Sequence, residues 1–230
     1  MLNKNRLLNQ LKYLGRIPER NDGKQTRLSI LNAALDILAY EGARQLRHRN
    51  IAQKANVPLA STTYYFKDIQ QLMHDCFVYF VEIQIDDIIN LQQKGLLLLE
   101  QYQLSGLQQT RQMAQLLTQH ILLQISDKKV RLLEHAFRYE AINQPSLAAL
   151  VTIVDDNQRL AIEELLTAMH IDAPHENAFE IHATILQLEY QGLTNPSTDH
   201  ASWCEQILFN RLRELHHSKA KTNHNVLLID

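Results

Sequence analysis

Residues 46–66 read LRHRNIAQKANVPLASTTYYF, and this stretch decides the fold. It carries two short helical patterns with a tight turn between them. In the first, Ile51, Ala52 and Ala55 recur at helical spacing, which gives the segment one apolar face. Asn56 follows, and asparagine is the non-glycine residue that best tolerates the left-handed backbone of a sharp helix exit. Val57 and Pro58 restart the chain; proline suits a first helical turn because its missing N–H would have had no intrahelical partner. The second helix, roughly 59–65, is uncharged and rich in hydroxyls: Ser61, Thr62, Thr63, Tyr64 and Tyr65. Such a helix suits contact with a polar surface.

Outward from this stretch the pattern stays helical. A preceding helix is expected over 24–40, with Ile30, Leu31, Ala34, Leu35 and Leu38 on its inner face and Gly42 just past its end. Residues 1–23 form a basic extension with an apolar stripe at Leu7, Leu8, Leu11 and Leu14. It is expected as a solvated, partly disordered tail, with Pro18 ending any short helix in it. On the other side, Asp68 followed three residues later by Gln71 makes a capping-box pattern, so a helix should begin at 69. It should run to 93 with Leu72, Met73, Cys76, Phe77, Phe80 and Val81 apolar, and a looser segment is expected at 94–105 between Gly95 and Gly106. Further helices are expected over 107–125, 128–143, 146–169, 175–193 and 200–217, with Asp127, Pro145, Pro174 and Pro196 marking the breaks. A polar tail, 218–230, ends the chain.

Composition agrees with an all-α protein. A chain of 230 residues can bury a sizeable core, and six glycines with five prolines leave little punctuation for a many-stranded fold. The charge is unevenly placed: residues 1–74 hold 12 Lys+Arg against 5 Asp+Glu, and residues 75–230 hold 11 against 20. A basic N-terminal module on an acidic body suits phosphate binding by one end. Cys76 and Cys204 lie far apart without metal-ligand spacing, which points to a reducing, cytoplasmic home. The N-terminus lacks the apolar core of a secretory signal, and no run is long enough to span a bilayer, so no membrane association is expected.

The segment VPLASTTYYFKDIQQL, with LSILNAALDILAYEGARQL before it, resembles the DNA-binding domain of the TetR family of bacterial regulators over about residues 25–75. Asn56 stands where that family commonly has glycine, Thr63 where it has tyrosine, and Ile69 where it often has a phosphate-binding lysine. The resemblance implies a three-helix helix-turn-helix domain over 24–68 and a larger helical ligand-binding and dimerisation domain over 69–217. It implies a transcriptional regulator, most often a repressor, that binds a palindromic operator in double-stranded DNA as a homodimer and answers to a small-molecule effector. It also places the dimer interface in a four-helix bundle of the last two helices, with Phe179, Ile181, Ile185, Leu188, Ile207, Leu208 and Leu212 facing the partner.

DNA recognition needs phosphate contacts for position and base contacts for sequence. Arg49 is the side chain best suited to a bidentate guanine contact, and Arg47 and His48 flank it as backbone ligands. Leu59 and Ala60 can touch thymine methyls, Ser61 and Thr63 offer hydroxyls, Tyr64 and Tyr65 offer phenols to phosphates, with burial of one of the two as helix packing the alternative, and Lys67 is a charge clamp. Thr26 and Arg27 could reach the DNA backbone from the start of the preceding helix, while the resemblance implies that Thr62 faces inward, since the family usually has an apolar residue there. For an effector, His120, Gln124, Phe137, Tyr139, Glu140, His182, Gln187 and Trp203 are polar or aromatic residues within apolar helical patterns, as a bundle pocket would require. No cofactor, metal-ligand or catalytic motif assembles; GxSxG, HExxH, GxGxxG and GxxxxGK[ST] are all missing. The alternative reading is a helical ligand-binding protein or enzyme that borrows the fold without binding DNA.

Overall fold

The computed structural model describes residues 4–101 and 106–226, and among these the secondary structure is helical. Ten α-helices follow in chain order: α1 (Lys4–Gln10), α2 (Asn21–Tyr40), α3 (His48–Ala55), α4 (Leu59–Tyr65), α5 (Ile69–Gln101), α6 (Gly106–Ser126), α7 (Lys128–Ala141), α8 (Pro145–Ala168), α9 (Pro174–Thr194) and α10 (His200–Val226). A 3-10 turn at Ala43–Gln45 joins α2 to α3.

The local signals act as their chemistry requires. Asn56 adopts φ 54° and ψ 47°, and the Val57 N–H reaches back to the Ala52 carbonyl at 3.0 Å, so the left-handed asparagine closes α3 as a glycine would. Gly42 sits at φ 84° after α2. Asp68 accepts the Gln71 N–H at 2.8 Å, and the Gln71 side-chain oxygen accepts the Lys67 N–H at 2.7 Å, which starts α5.

The expected break at 94–105 does not begin where glycine stands. Helix α5 continues through buried Gly95 to Gln101. A Cβ at Gly95 would lie 2.6 Å from Leu165 Cδ2, so this glycine serves close helix packing rather than a turn. The end of that expected loop, 102–105, lies outside the described residues. At the C-terminus, α10 runs on to Val226, so most of the expected polar tail is helical backbone.

The chain forms two compact units. One, the head, comprises Lys4–Ile85 with Lys129–Asp155; the other, the body, comprises Asp86–Lys128 with the residues from Asp156 onward. In the head, α2 packs on α3 and α4, and Ile30, Leu31, Ile37, Ile51, Phe66 and Leu72 are fully buried. Helix α7 is part of this core: the Phe137 ring meets Phe77 edge-on at 5.1 Å and Phe80 at 5.5 Å, and Lys129 pairs with Asp36 of α2. Asp155 of α8 is held by Arg138 at 2.7 and 2.8 Å. In the body, α6 packs on α9 and α10 around Leu117, Ile121, Leu165, Ile181, Leu208 and Leu212.

The N-terminal extension departs most from expectation. Leu7 and Leu11 are buried, and the segment after α1 is bonded to the head rather than solvated. Helix α1 ends at Gln10, well before Pro18.

Candidate nucleic-acid interface

Helix α4 presents one face to the protein and one to solvent. Thr62, Tyr65 and the following Phe66 are buried, while Leu59, Ala60, Thr63 and Tyr64 are exposed and Ser61 is half-buried. The hydroxyl of Thr63 donates to the Ala60 carbonyl and that of Thr62 to Leu59, each three residues back. The Thr63 oxygen therefore keeps its lone pairs outward, as an acceptor. Arg47 just before α3, Arg49 on α3 and Lys67 just after α4 are exposed, and half-buried Thr26 has its hydroxyl on the Asp22 carbonyl.

Three expected DNA ligands are turned elsewhere. Arg27 is buried, with its guanidinium 2.5 Å from the Asp75 carboxylate and stacked over the Tyr13 ring at 4.4 Å. A buried arginine needs that counter-charge, so Arg27 is spent on the core rather than on phosphate. Tyr65 is the buried member of the tyrosine pair, edge-on to Tyr64 at 5.0 Å. His48 has both ring nitrogens shielded without hydrogen-bond partners, and burial lowers its pKa, so at neutral pH it brings no positive charge to a phosphate.

Two residues outside the expected set organise this surface. Asp75 on α5 is buried and accepts the N–H groups of Leu14 and Gly15 at 2.8 and 3.0 Å as well as the Arg27 guanidinium. Its signal is a carboxylate in the same apolar run as Leu72 and Cys76, a place where an acid is tolerated only with partners. The other is Arg16, whose guanidinium lies 4.1 Å from the centroid of the Tyr64 ring. Nothing in the sequence pattern pairs these two, because 47 intervening residues separate them. The neighbouring Cys76 thiol is pushed well up by burial and by the Asp75 charge, which leaves it inert at neutral pH.

The residues expected to hold an effector are divided between the two units. Phe137, Tyr139 and Glu140 belong to the head, where Phe137 is core and Tyr139 is 67% exposed. The others lie in the body, where Gln187 and Trp203 face solvent, Gln124 is buried, and His182 is hydrogen-bonded to Gln158 at 2.9 Å. The aromatic ring at helical spacing in α7 is core, as such rings commonly are. The body also buries Gln92 against Glu164 at 2.9 Å and leaves the Thr118 hydroxyl buried without a hydrogen-bond partner.

Solved structures carry the same arrangement of helices. A TetR transcription regulator from Haloarcula marismortui superposes with a TM-score of 0.65 at 13% identity, over 84% of this chain and 98% of that one. The fold is that of TetR-family regulators. A protein of Streptomyces coelicolor A3(2) classed among transcriptional regulators matches at 24% identity and a TM-score of 0.61, over 82% of this chain and 98% of the other. The multidrug binding protein EbrR, solved with imidazole, matches at 21% identity and 0.56, over 85% and 96%. No family model and no curated protein matches the sequence. Among the described residues, no helix of this TetR-type fold is long and apolar enough to cross a membrane.

The TetR-type assembly expected from the sequence needs a correction at its interface. Ile181, Ile185, Leu188, Leu208 and Leu212 are buried inside the body of a single chain and cannot face a partner. Of the expected set only Phe179, 60% exposed, and half-buried Ile207 lie outside; Tyr190 and Trp203 are the other large exposed rings of α9 and α10. Helical spacing names an apolar face but not which of two cores it enters.

Proposed function

We propose that this protein is a transcriptional regulator of the TetR type, a repressor that binds a palindromic operator as a homodimer and leaves it when a small organic effector binds the body. The observation that carries the reading is the exposed, uncharged face of α4, Leu59, Ala60, Thr63 and Tyr64, flanked by Arg47, Arg49 and Lys67. A short hydroxyl-bearing helix between cations fits a major groove walled by phosphates. Ser61 and Thr26 extend the hydroxyl set at its margin.

A dimer completes this reading, since a single α4 would read only one half-site. The exposed rings of Phe179, Tyr190 and Trp203 are the apolar material for a self-complementary contact through α9 and α10. Sedimentation at micromolar concentration should give a dimer, and Phe179→Glu combined with Trp203→Glu should give a monomer. A wild-type monomer would refute the assembly.

For effector response, α5 is the shared element, burying Leu72, Phe77 and Ile85 in the head core while Leu91, Leu96 and Leu99 pack on the body core. An effector that prefers a body conformation incompatible with operator binding weakens DNA affinity by its own affinity ratio for the two states. The buried Thr118 hydroxyl, which has no hydrogen-bond partner, offers a polar contact within the apolar interior of the body.

Footprinting on the DNA upstream of its own gene should reveal a protected palindrome, and the Arg49→Ala variant should lose it. Removing a bidentate guanine contact costs about 1–3 kcal/mol of discrimination per half-site, so random-duplex affinity should change far less than operator affinity. Equal weakening on both duplexes would reassign Arg49 to the backbone.

A further inference from the structure

We propose that Arg16 is a phosphate-binding residue of the DNA interface, placed there by a strut formed from residues 14–16 of the N-terminal segment. This rests on the DNA-binding reading above and extends it to a residue outside the helix-turn-helix.

The strut is built, not incidental. Three consecutive residues make four backbone hydrogen bonds to the head: Leu14 N–H and Gly15 N–H to the two Asp75 oxygens at 2.8 and 3.0 Å, Leu14 C=O from the Gln71 amide at 3.0 Å, and Arg16 N–H to the Tyr65 carbonyl at 2.9 Å. The last of these occupies a carbonyl at the C-terminal end of α4, so the strut is bonded to the recognition helix itself. Gly15 is required for the approach, because a Cβ there would lie 2.8 Å from Asp75 Oδ2 and 2.8 Å from the Phe66 ring.

What the strut delivers is a cation on a reading surface. Asp75 is fully buried and neutralised by Arg27, so its purpose is to hold the segment and not to pair with Arg16. Arg16 is exposed, and its guanidinium lies over Tyr64, a ring that is itself 53% exposed on the outward face of α4. Stacking restrains the guanidinium without consuming its N–H donors, and the exposure of Arg16 leaves them accessible. A planar fork held beside a phenol matches the oxygens of a backbone phosphate at the groove edge, with Tyr64 O–H as a second donor. Residue 69 at the start of α5 is an uncharged isoleucine, and Arg16 supplies a cation from a different element of the same head.

The test is binding of full-length wild type, Arg16→Ala, Arg16→Lys and Arg49→Ala to the upstream duplex and to a random-sequence duplex across a salt series. Arg16→Ala should weaken both duplexes by about tenfold and by the same factor. It should also flatten the log–log salt dependence by about 0.9 for each phosphate that the variant leaves without its cation. Arg16→Lys should keep the slope while giving up part of the affinity, since it retains charge but not the stacked plane; a folding defect would not be rescued this way. An unchanged affinity and slope in Arg16→Ala, with wild type binding normally, overturns the inference and leaves the regulator reading intact. Weakening confined to the upstream duplex overturns the phosphate assignment in favour of a base contact. Failure of wild type to bind either duplex at low salt overturns the regulator reading and this inference together.

Discussion

Replacing Asp75 by alanine is expected to destabilise the protein by about 3–5 kcal/mol, read as a lower midpoint in urea unfolding followed by circular dichroism. The substitution strands a guanidinium: Arg27 is buried and Asp75 supplies its counter-charge at 2.5 Å. It also removes the acceptors of the Leu14 and Gly15 N–H groups. Each change alone is unfavourable, because a buried donor without a partner forfeits the solvation it gave up on folding. Converting both members, Asp75→Leu with Arg27→Met, should recover much of the deficit, since the pair was expensive to bury in the first place. The double variant should still bind DNA less well than its stability suggests, because the strut keeps only two of its four anchors. A single-variant effect under about 1 kcal/mol would show that solvent reaches Arg27.

Phe137→Ala is the second large effect, expected at about 3–5 kcal/mol on the same unfolding measurement. Phe137 is fully buried and touches two rings of α5, Phe77 at 5.1 Å and Phe80 at 5.5 Å, so truncation removes both the transfer energy and two aromatic neighbours. Phe137→Leu, which keeps most of the volume, should cost less than half as much. The result bears on function: by sequence alone residue 137 suits a pocket, and a pocket residue would change effector response with little effect on stability. A truncation that leaves stability untouched would restore the pocket reading.

Much of the head is legible without coordinates, for a local reason. The turn between α3 and α4 depends on Asn56 tolerating a left-handed backbone and on Pro58 fitting a helix start, and both preferences act within a few residues. The exit of α3 at Asn56, the extent of α4 and the Asp68–Gln71 cap follow from the same short-range chemistry, whereas the inward Thr62 follows from the family resemblance. Where the sequence misleads, the deciding contact is distant. Gly95 looks like a break because glycine weakens an isolated helix; the close approach of Leu165 makes its missing side chain an advantage. The extension 1–23 looks like a tail because its leucines have no visible partner in the local sequence.

The sequence by itself determined that this protein is all helical, where its helix-turn-helix lies, and which end carries the positive charge, because helical periodicity, turn chemistry and charge are properties of neighbouring residues. Tertiary structure alone decided that Arg27 and Tyr65 turn inward, that Phe137 is core, that the apolar faces of α9 and α10 are mostly used within one chain, and that Arg16 reaches Tyr64. Those outcomes depend on contacts between residues tens of positions apart. An apolar or charged side chain carries its preference for burial or pairing in its chemistry, but the partner that satisfies it is chosen by the packed chain.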